Sequence, residues 1–394
     1  MPGYDAWFNE TFVKEWGRAN DTEVTVDNVG LGEINRKAAA EAEAQQGHDI
    51  VLFLSPPAAF EDQVIDHREV FQECERRHGK AAEFTVRSSY NPRTDKFYGV
   101  LEGYAPAVSI YRRDLWGEVG RTPRTWDDVR KGGRAIKLLH QAPVGISLAP
   151  EHNSNYSLRA LLFAFGASVQ DEGANPALKS EAALEALKFG KALYEEAMVD
   201  DVLAWDPPAN NRFMLSGEGS LTIDTLSIGR AAESKGLPID EKLALANLPE
   251  GPAGRLGPSF SAYTYVIWKF AENLEGAKRF ILDYIGSSKA GLVAGGFQNM
   301  PSFPGAVEKL NELLANDPVR PERYKVLAEV PATMTNLGHP GYANAATDEV
   351  ERSGIIPRMF ARVATGTQTP EDSLDQADKE IRPIFDKWRE AGKI

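Results

Sequence analysis

Between residues 23 and 54 the chain changes its hydrophobic period twice. Glu23-Val-Thr-Val-Asp27 alternates with the period of a half-buried strand. The alanine-rich run from Gly32 to Gln46 has helical spacing, and Gly47 follows as a terminator. His48-Asp-Ile-Val-Leu-Phe-Leu54 is mainly apolar and is stopped by Ser55-Pro56-Pro57. A helix between two strands, the second one apolar along most of its length, is the pattern of a parallel α/β unit.

The rest of the chain continues the alternation. A polar helix is expected over 61–77. The loop Asn91 to Asp95 leads into Lys96-Phe-Tyr-Gly-Val-Leu101, and Ala107-Val-Ser-Ile-Tyr111 is a short strand. In Arg121-Thr-Pro-Arg-Thr-Trp-Asp-Asp-Val129, Thr125 has the chemistry of an N-cap whose hydroxyl accepts from the Asp128 amide. Asp127 and Asp128 then fall in the first turn, where the helix dipole favours negative charge, so this carboxylate pair reads as a helix start. Glu181 to Met198 is a further helix, Asn273 caps another, and Thr369 with Pro370 opens the last. Ser220–Asp224 and Tyr263–Trp268 read as strands, and the Gly/Pro segment from Pro249 to Ser259 as a loop between units.

With 394 residues the chain has length for two or three domain-sized units. A formal net charge of −13 argues against nucleic acid and anionic membrane as partners, because both require basic patches. Cys74 is the single cysteine, so no disulfide framework and no cysteine-based metal site is expected. No apolar run reaches about 18 residues, and Met1 to Phe12 lacks the basic start and apolar core of a signal peptide.

Catalytic and cofactor motifs are missing. There is no phosphate-binding G-x-x-x-x-G-K-[ST], Gly30-Leu-Gly32 does not complete a dinucleotide fingerprint, and the six histidines have no metal-binding spacing. No catalytic residue, cofactor or metal is therefore assigned. What recurs instead, at the ends of expected strands, is aromatic residues beside Asp, Glu and Asn: Tyr4-Asp5, Glu102-Gly-Tyr104, His152 to Tyr156, Trp205-Asp206 ahead of Asn210-Asn211, Phe260 to Tyr263, Gly295 to Asn299 and His339 to Tyr342. Rings accept the C–H faces of sugars, while planar acceptors and donors take hydroxyls. The ends of strands are where α/β clefts bind ligands. His152 and His339 read as turn residues, and Asp224 reads equally as a strand-end cap or a ligand.

Val108 to Lys137, VSIYRRDLWGEVGRTPRTWDDVRKGGRAIK, resembles the signature of the family 1 extracellular solute-binding proteins of ABC importers. DKFYGVLEGYAPAV, FMLSGEGSLTID, NLPEGPAGRLGPSFSAYTYVI, NLEGAKRFILDYIGSSKAGLVAGGFQNMPSF and ATGTQTPEDSLDQADKEI are similar to its further segments, in the same order. The resemblance implies an α/β, two-lobed periplasmic-binding-protein fold of type II. Each lobe would be a mixed sheet flanked by helices, joined by a hinge of crossing strands. Lobe one would be 1–107 with 264–316, and lobe two 110–260 with 318–394. The crossings would lie near 107–109, 260–265 and 317–327. The ligand-binding residues it implies are Tyr4, Asp5, Glu102, Tyr104, Asn153, Asn155, Tyr156, Trp205, Asp224, Phe260, Tyr263 and Tyr342.

The expected function is capture of a mono- or oligosaccharide or polyol outside the cytoplasm, by a monomer that delivers it to the transmembrane permease subunits of an ABC transporter. Two other readings stand beside it: a carbohydrate-active enzyme using two carboxylates among Asp5, Glu102 and Asp206, or a binder of an anionic sugar derivative through Arg87, Arg112 or Arg212. The chain departs from the family pattern in three ways. A first strand is expected before the loop at Pro2-Gly3-Tyr4, a lipid-bearing cysteine is absent, and Thr225-Leu226 stands where Gly-x-Trp is common.

Overall fold

The computed structural model describes residues 2–30, 33–259, 261–316 and 320–394. Two sheets organise it. The first has four strands in the order Ile50–Phe53, Ser261–Ile267, Val100–Ala105, Met300–Pro301. The second has three, in the order Leu221–Asp224, Val108–Arg112, Leu243–Ala246. All the ladders within these two sheets are antiparallel. Among the described residues, parallel pairing is confined to Gly257–Pro258 with Met334–Thr335 and to single bridges such as Val144 with Leu221.

This corrects the parallel unit expected over residues 23–54. The apolar strand forms over Ile50–Phe53 but runs antiparallel to its neighbour Ser261–Ile267. Residues 22–30 carry no strand. Their alternation is real, since Val24 and Val26 turn inward against the core, but no neighbouring strand is aligned to accept their amides and carbonyls. The helix forms over Ile34–Ala44, and Gln45, at φ 51°, takes the left-handed cap ahead of Gly47. Residues 2–19, in part expected as loop, are helical throughout, with a wide turn at Trp7–Phe12. The polar helix is shorter than expected and forms over Arg68–His78.

Strand Ser261–Ile267 shows why the first sheet is buried on both faces. Tyr265 and Ile267 point to a layer built from Phe12, Trp16, Phe280 and Tyr284. Val266, with Trp268 just beyond the strand, points to the opposite layer of Phe53, Tyr98 and Ala38. In the first layer, rings meet edge to face: Trp16 with Phe280 at 5.1 Å, Tyr265 with Tyr284 at 5.4 Å. Helix Leu274–Gly286 delivers Phe280 and Tyr284, and Asn273 caps it by accepting from the Gly276 amide at 2.9 Å.

Helices Arg113–Glu118, His152–Ala164 and Ala209–Leu215 lie against the second sheet, and helices Trp126–His140, Glu181–Ala197 and Pro370–Glu390 extend the same core. The start at Thr125 forms as the residues demand. Its hydroxyl accepts from the Asp128 amide at 3.0 Å, and Asp128 returns the bond by accepting from the Thr125 amide at 3.2 Å. Asp127 holds Lys131 one turn on, at 2.7 Å. Gly132 in the same helix lets the Trp116 ring approach; a Cβ there would lie 2.5 Å from it.

The chain passes between the sheets at Pro106-Ala107: strand Val100–Ala105 belongs to the first and Val108–Arg112 to the second. It enters the first sheet again at Ser261. Residues 321–327 of the third expected crossing are helical rather than extended, and 317–319 lie outside the described residues.

Candidate functional site

Two groups of polar and aromatic side chains flank this passage, one on each sheet. On the first sheet, strand Val100–Ala105 pairs Leu101 with Thr264, then jumps to pair Gly103 with Tyr263. Glu102 is the extra residue of a β-bulge, a device that re-aims a side chain. Gly103 permits it, because a Cβ there would sit 2.9 Å from the Met300 carbonyl oxygen. The Glu102 side chain is buried, with the residue 6% exposed. The Tyr284 hydroxyl hydrogen-bonds it, and Oε1 has no partner. Burial pushes the carboxyl up to about 8, against the pull of the Tyr284 bond.

Tyrosines surround that carboxyl. The hydroxyls of Tyr4 and Tyr284 lie 2.5 Å apart. Burial, and then the nearby Glu102 carboxyl, hold the phenols of Tyr4 and Tyr263 well above their ordinary range. Tyr104, two residues along from Glu102, packs edge-on against Phe84 at 4.7 Å.

On the second sheet, Asp224 ends strand Leu221–Asp224 directly opposite Val108, at the passage itself. Its Oδ2 accepts from Asn210 at 2.8 Å, Asn211 at 3.1 Å and the Ser227 hydroxyl at 3.4 Å; Oδ1 accepts from the Thr225 amide at 2.6 Å. Burial nonetheless lifts its carboxyl to about 7, because it outweighs those donors. Asp224 thus ties helix Ala209–Leu215 to the strand end. Helix His152–Ala164 approaches the same place. Glu151 caps it, accepting from the amides of Asn153 at 2.7 Å and Ser154 at 2.8 Å. The Asn153 side chain donates to the Pro207 carbonyl at 3.1 Å and that of Asn155 to the Glu151 carbonyl at 3.2 Å, leaving Asn155 Oδ1 unpartnered. Tyr156 is buried with its ring 4.6 Å from His152, and half-buried Trp205 lies 5.1 Å from Phe213.

The family model of bacterial extracellular solute-binding proteins matches residues 1–291. The chain belongs to this family. Among solved structures, it is similar to maltose-bound MalE3 of T. maritima, with 20% identity over 95% of both chains and a TM-score of 0.79. It is also similar to a sugar transporter protein of Arthrobacter chlorophenolicus A6 with bound laminaribiose, with 15% identity, 98% and 96% covered, and a TM-score of 0.80. A Thermotoga lettingae solute-binding protein bound with alpha-D-tagatose matches at 18% identity, 96% and 97% covered, TM-score 0.78. No curated protein matches the chain in sequence. These likenesses establish the two-lobed α/β fold of the maltose-binding-protein type.

In this solute-binding protein, contacts join the two groups of elements. His152 Nε2 lies 3.4 Å from the Ser261 hydroxyl, and Arg230 Nε donates to the Gly296 carbonyl at 2.7 Å. Of the twelve residues expected from sequence, Tyr4, Glu102, Tyr104 and Tyr263 gather on the first sheet. Asn153, Asn155, Tyr156, Trp205 and Asp224 gather on the second. Asp5 is exposed on the first helix. Tyr342 packs instead on Tyr90, 5.9 Å away, and under the Arg87 guanidinium at 5.6 Å. Phe260 lies outside the described residues. Sequence reasoning missed Tyr284, which helical spacing assigns to the core, and Glu151, whose place three residues before Ser154 is the spacing of a capping box. Among the described residues, no group of three or more His, Cys, Asp or Glu is placed to hold a metal ion, and no helix is long and apolar enough to cross a membrane.

Proposed function

We propose that this protein captures a carbohydrate or polyol between its lobes, outside the cytoplasm, and hands it to the permease subunits of an ABC importer. The lobes are 1–107 with 264–316 and 110–260 with 318–394. The chain acts as a monomer, and its work is binding without turnover. The observation that carries this reading is the position of the two side-chain groups. Glu102 and Tyr104 stand just before the passage at Pro106-Ala107, and Asp224 is paired to Val108 just after it. A ligand between them touches both lobes and stabilises their closed arrangement over the open one. Rings at Tyr4, Tyr104, Tyr156, Trp205 and Tyr263 line the cleft, and Glu102, Asn153, Asn155 and Asp224 take hydroxyls. That maltose, laminaribiose and tagatose occupy structural neighbours supports a sugar as the guest.

The acidic-sugar alternative has less support. Arg112 is held in a fork by Asp114 at 2.8 and 2.6 Å, Arg212 is paired to Asp206, and Arg87 donates to the Pro340 carbonyl at 2.7 Å. The deciding experiment is a thermal-shift screen over sugars and polyols. A ligand at about 100 times its Kd adds roughly 2.7 kcal/mol of stability. No shift across a broad panel defeats the carbohydrate reading, and release of hydrolysed product would convert it to an enzyme.

A further inference from the structure

Glu102 differs from the other buried acids in the company it keeps. Asp224 has four donors. Asp240 is bracketed by Arg320 and Arg323, Asp348 is held by Arg352 at 3.0 Å, and Glu351 sits in the field of Arg159 and Arg352. Glu102 has one tyrosine hydroxyl and an oxygen with no partner, in a residue 6% exposed. Among the described residues no arginine, lysine or histidine acts on it. The titratable groups that face it are Tyr4 from the first helix, Tyr263 and Tyr265 from strand Ser261–Ile267, and Tyr284 from helix Leu274–Gly286. Burial keeps all four phenols neutral, so they offer ring faces and hydroxyls but no positive charge.

We propose that the captured carbohydrate carries an amine, and that its ammonium group seats on the Glu102 carboxylate among these tyrosines. The proposal rests on the reading that residues beside the passage line the cleft, and it narrows the ligand class. A sugar hydroxyl would supply one hydrogen bond to the protonated carboxyl but no counter-charge for its ionised form. An ammonium supplies a charge-assisted bond to the orphan oxygen and also the missing counter-charge. The surrounding rings favour the same guest, because aromatic faces attract cations. The β-bulge gives this chemistry a fixed place in the backbone rather than on a mobile loop. In the free protein at pH 7 the carboxyl holds a proton, since burial raises it to about 8. The arriving ammonium makes the carboxylate the favoured form, so that proton leaves to solvent.

The test compares matched pairs by titration calorimetry at pH 7: glucose with glucosamine, and cellobiose with the glucosamine disaccharide. The expected result is binding of the amine member about tenfold or more tighter. In phosphate and Tris, whose ionisation heats differ, the heats should report release of close to one proton per amine bound. Glu102→Gln should level the two members and abolish the proton release. Should that variant fail to fold, the preference and proton count of the unsubstituted protein decide alone. Equal or tighter binding of the neutral sugars overturns this proposal and leaves carbohydrate capture standing. A preference that survives Glu102→Gln also overturns it, as does binding of neither member, and carbohydrate capture is then judged by the broad panel alone.

Discussion

At the scale of single residues, the same carboxyl predicts a stability effect independent of any ligand. Glu102 ionises near 4.5 in an unfolded chain and near 8 in the fold. Below pH 4.5 both states hold the proton and burial costs little. Between 4.5 and 8 the unfolded state gains freedom to ionise that the folded state lacks, so stability from this site falls as pH rises. Glu102→Gln removes the ionisation. The variant should therefore gain on the unsubstituted protein between pH 4.5 and 8, by on the order of a few kcal/mol. Guanidinium unfolding at the two pH values measures it, and parallel stabilities would mean that the carboxyl reaches water. Trp205 makes a second prediction. Its ring closes over Gly145, where a Cβ would lie 2.4 Å from it, and it leans on Phe213, so it is held in one orientation while still half exposed. A ring fixed in that way is suited to stacking. Trp205→Ala should weaken sugar binding by about 1 kcal/mol or more, and unchanged affinity would remove Trp205 from the site.

At the scale of elements, what could be read from the sequence was whatever is settled by neighbours in the chain. Thr125, Asn273 and Thr369 are caps because each side-chain oxygen and the amide three residues on are fixed by one turn of helix. Thr125→Ala should cost about 1 kcal/mol in urea unfolding and leave sugar affinity alone. Strand direction is a different matter. Ile50–Phe53 is apolar because both faces of its sheet are covered, and covering says nothing about whether its partner, more than 200 residues away, runs with it or against it. The same limit explains residues 23–27. Alternation records which side chains turn inward, which Val24 and Val26 do, but a strand also needs an aligned partner. For the site, recurrence of aromatic and acidic residues at strand ends picked out the two groups beside the passage. The pattern could not exclude Tyr342, whose local sequence is of the same kind but whose ring serves Tyr90 and Arg87. Nor could it find Tyr284, because a core tyrosine and one that hydrogen-bonds a site carboxyl have identical helical spacing.

At the scale of the whole molecule, capture requires motion, and the chain carries a convenient means of seeing it. Cys74 is fully buried in the layer beneath the first sheet, and burial pushes its thiol up to about 12. Thiolate is the reactive form, so Cys74 should be silent to maleimide in the native protein and react once the chain is unfolded. Cysteines added at exposed positions can then be labelled without touching it. Arg36, in helix Ile34–Ala44, and Leu138, in helix Trp126–His140, are both largely exposed and belong to different proposed lobes. A dye pair at Arg36→Cys and Leu138→Cys should report a single change of transfer efficiency as sugar is added, with a midpoint at the Kd. The reason is thermodynamic: a guest held, as proposed, by Glu102 and Tyr263 on one side and by Asp224 and Trp205 on the other would have lower free energy when the sides meet, and the population follows that difference. Glu102→Gln and Trp205→Ala should shift the midpoint upward and leave the end value of the closed state unchanged. A saturating sugar that leaves transfer efficiency where it was would mean that both walls belong to one rigid body, and that the passage at Pro106-Ala107 is not a hinge.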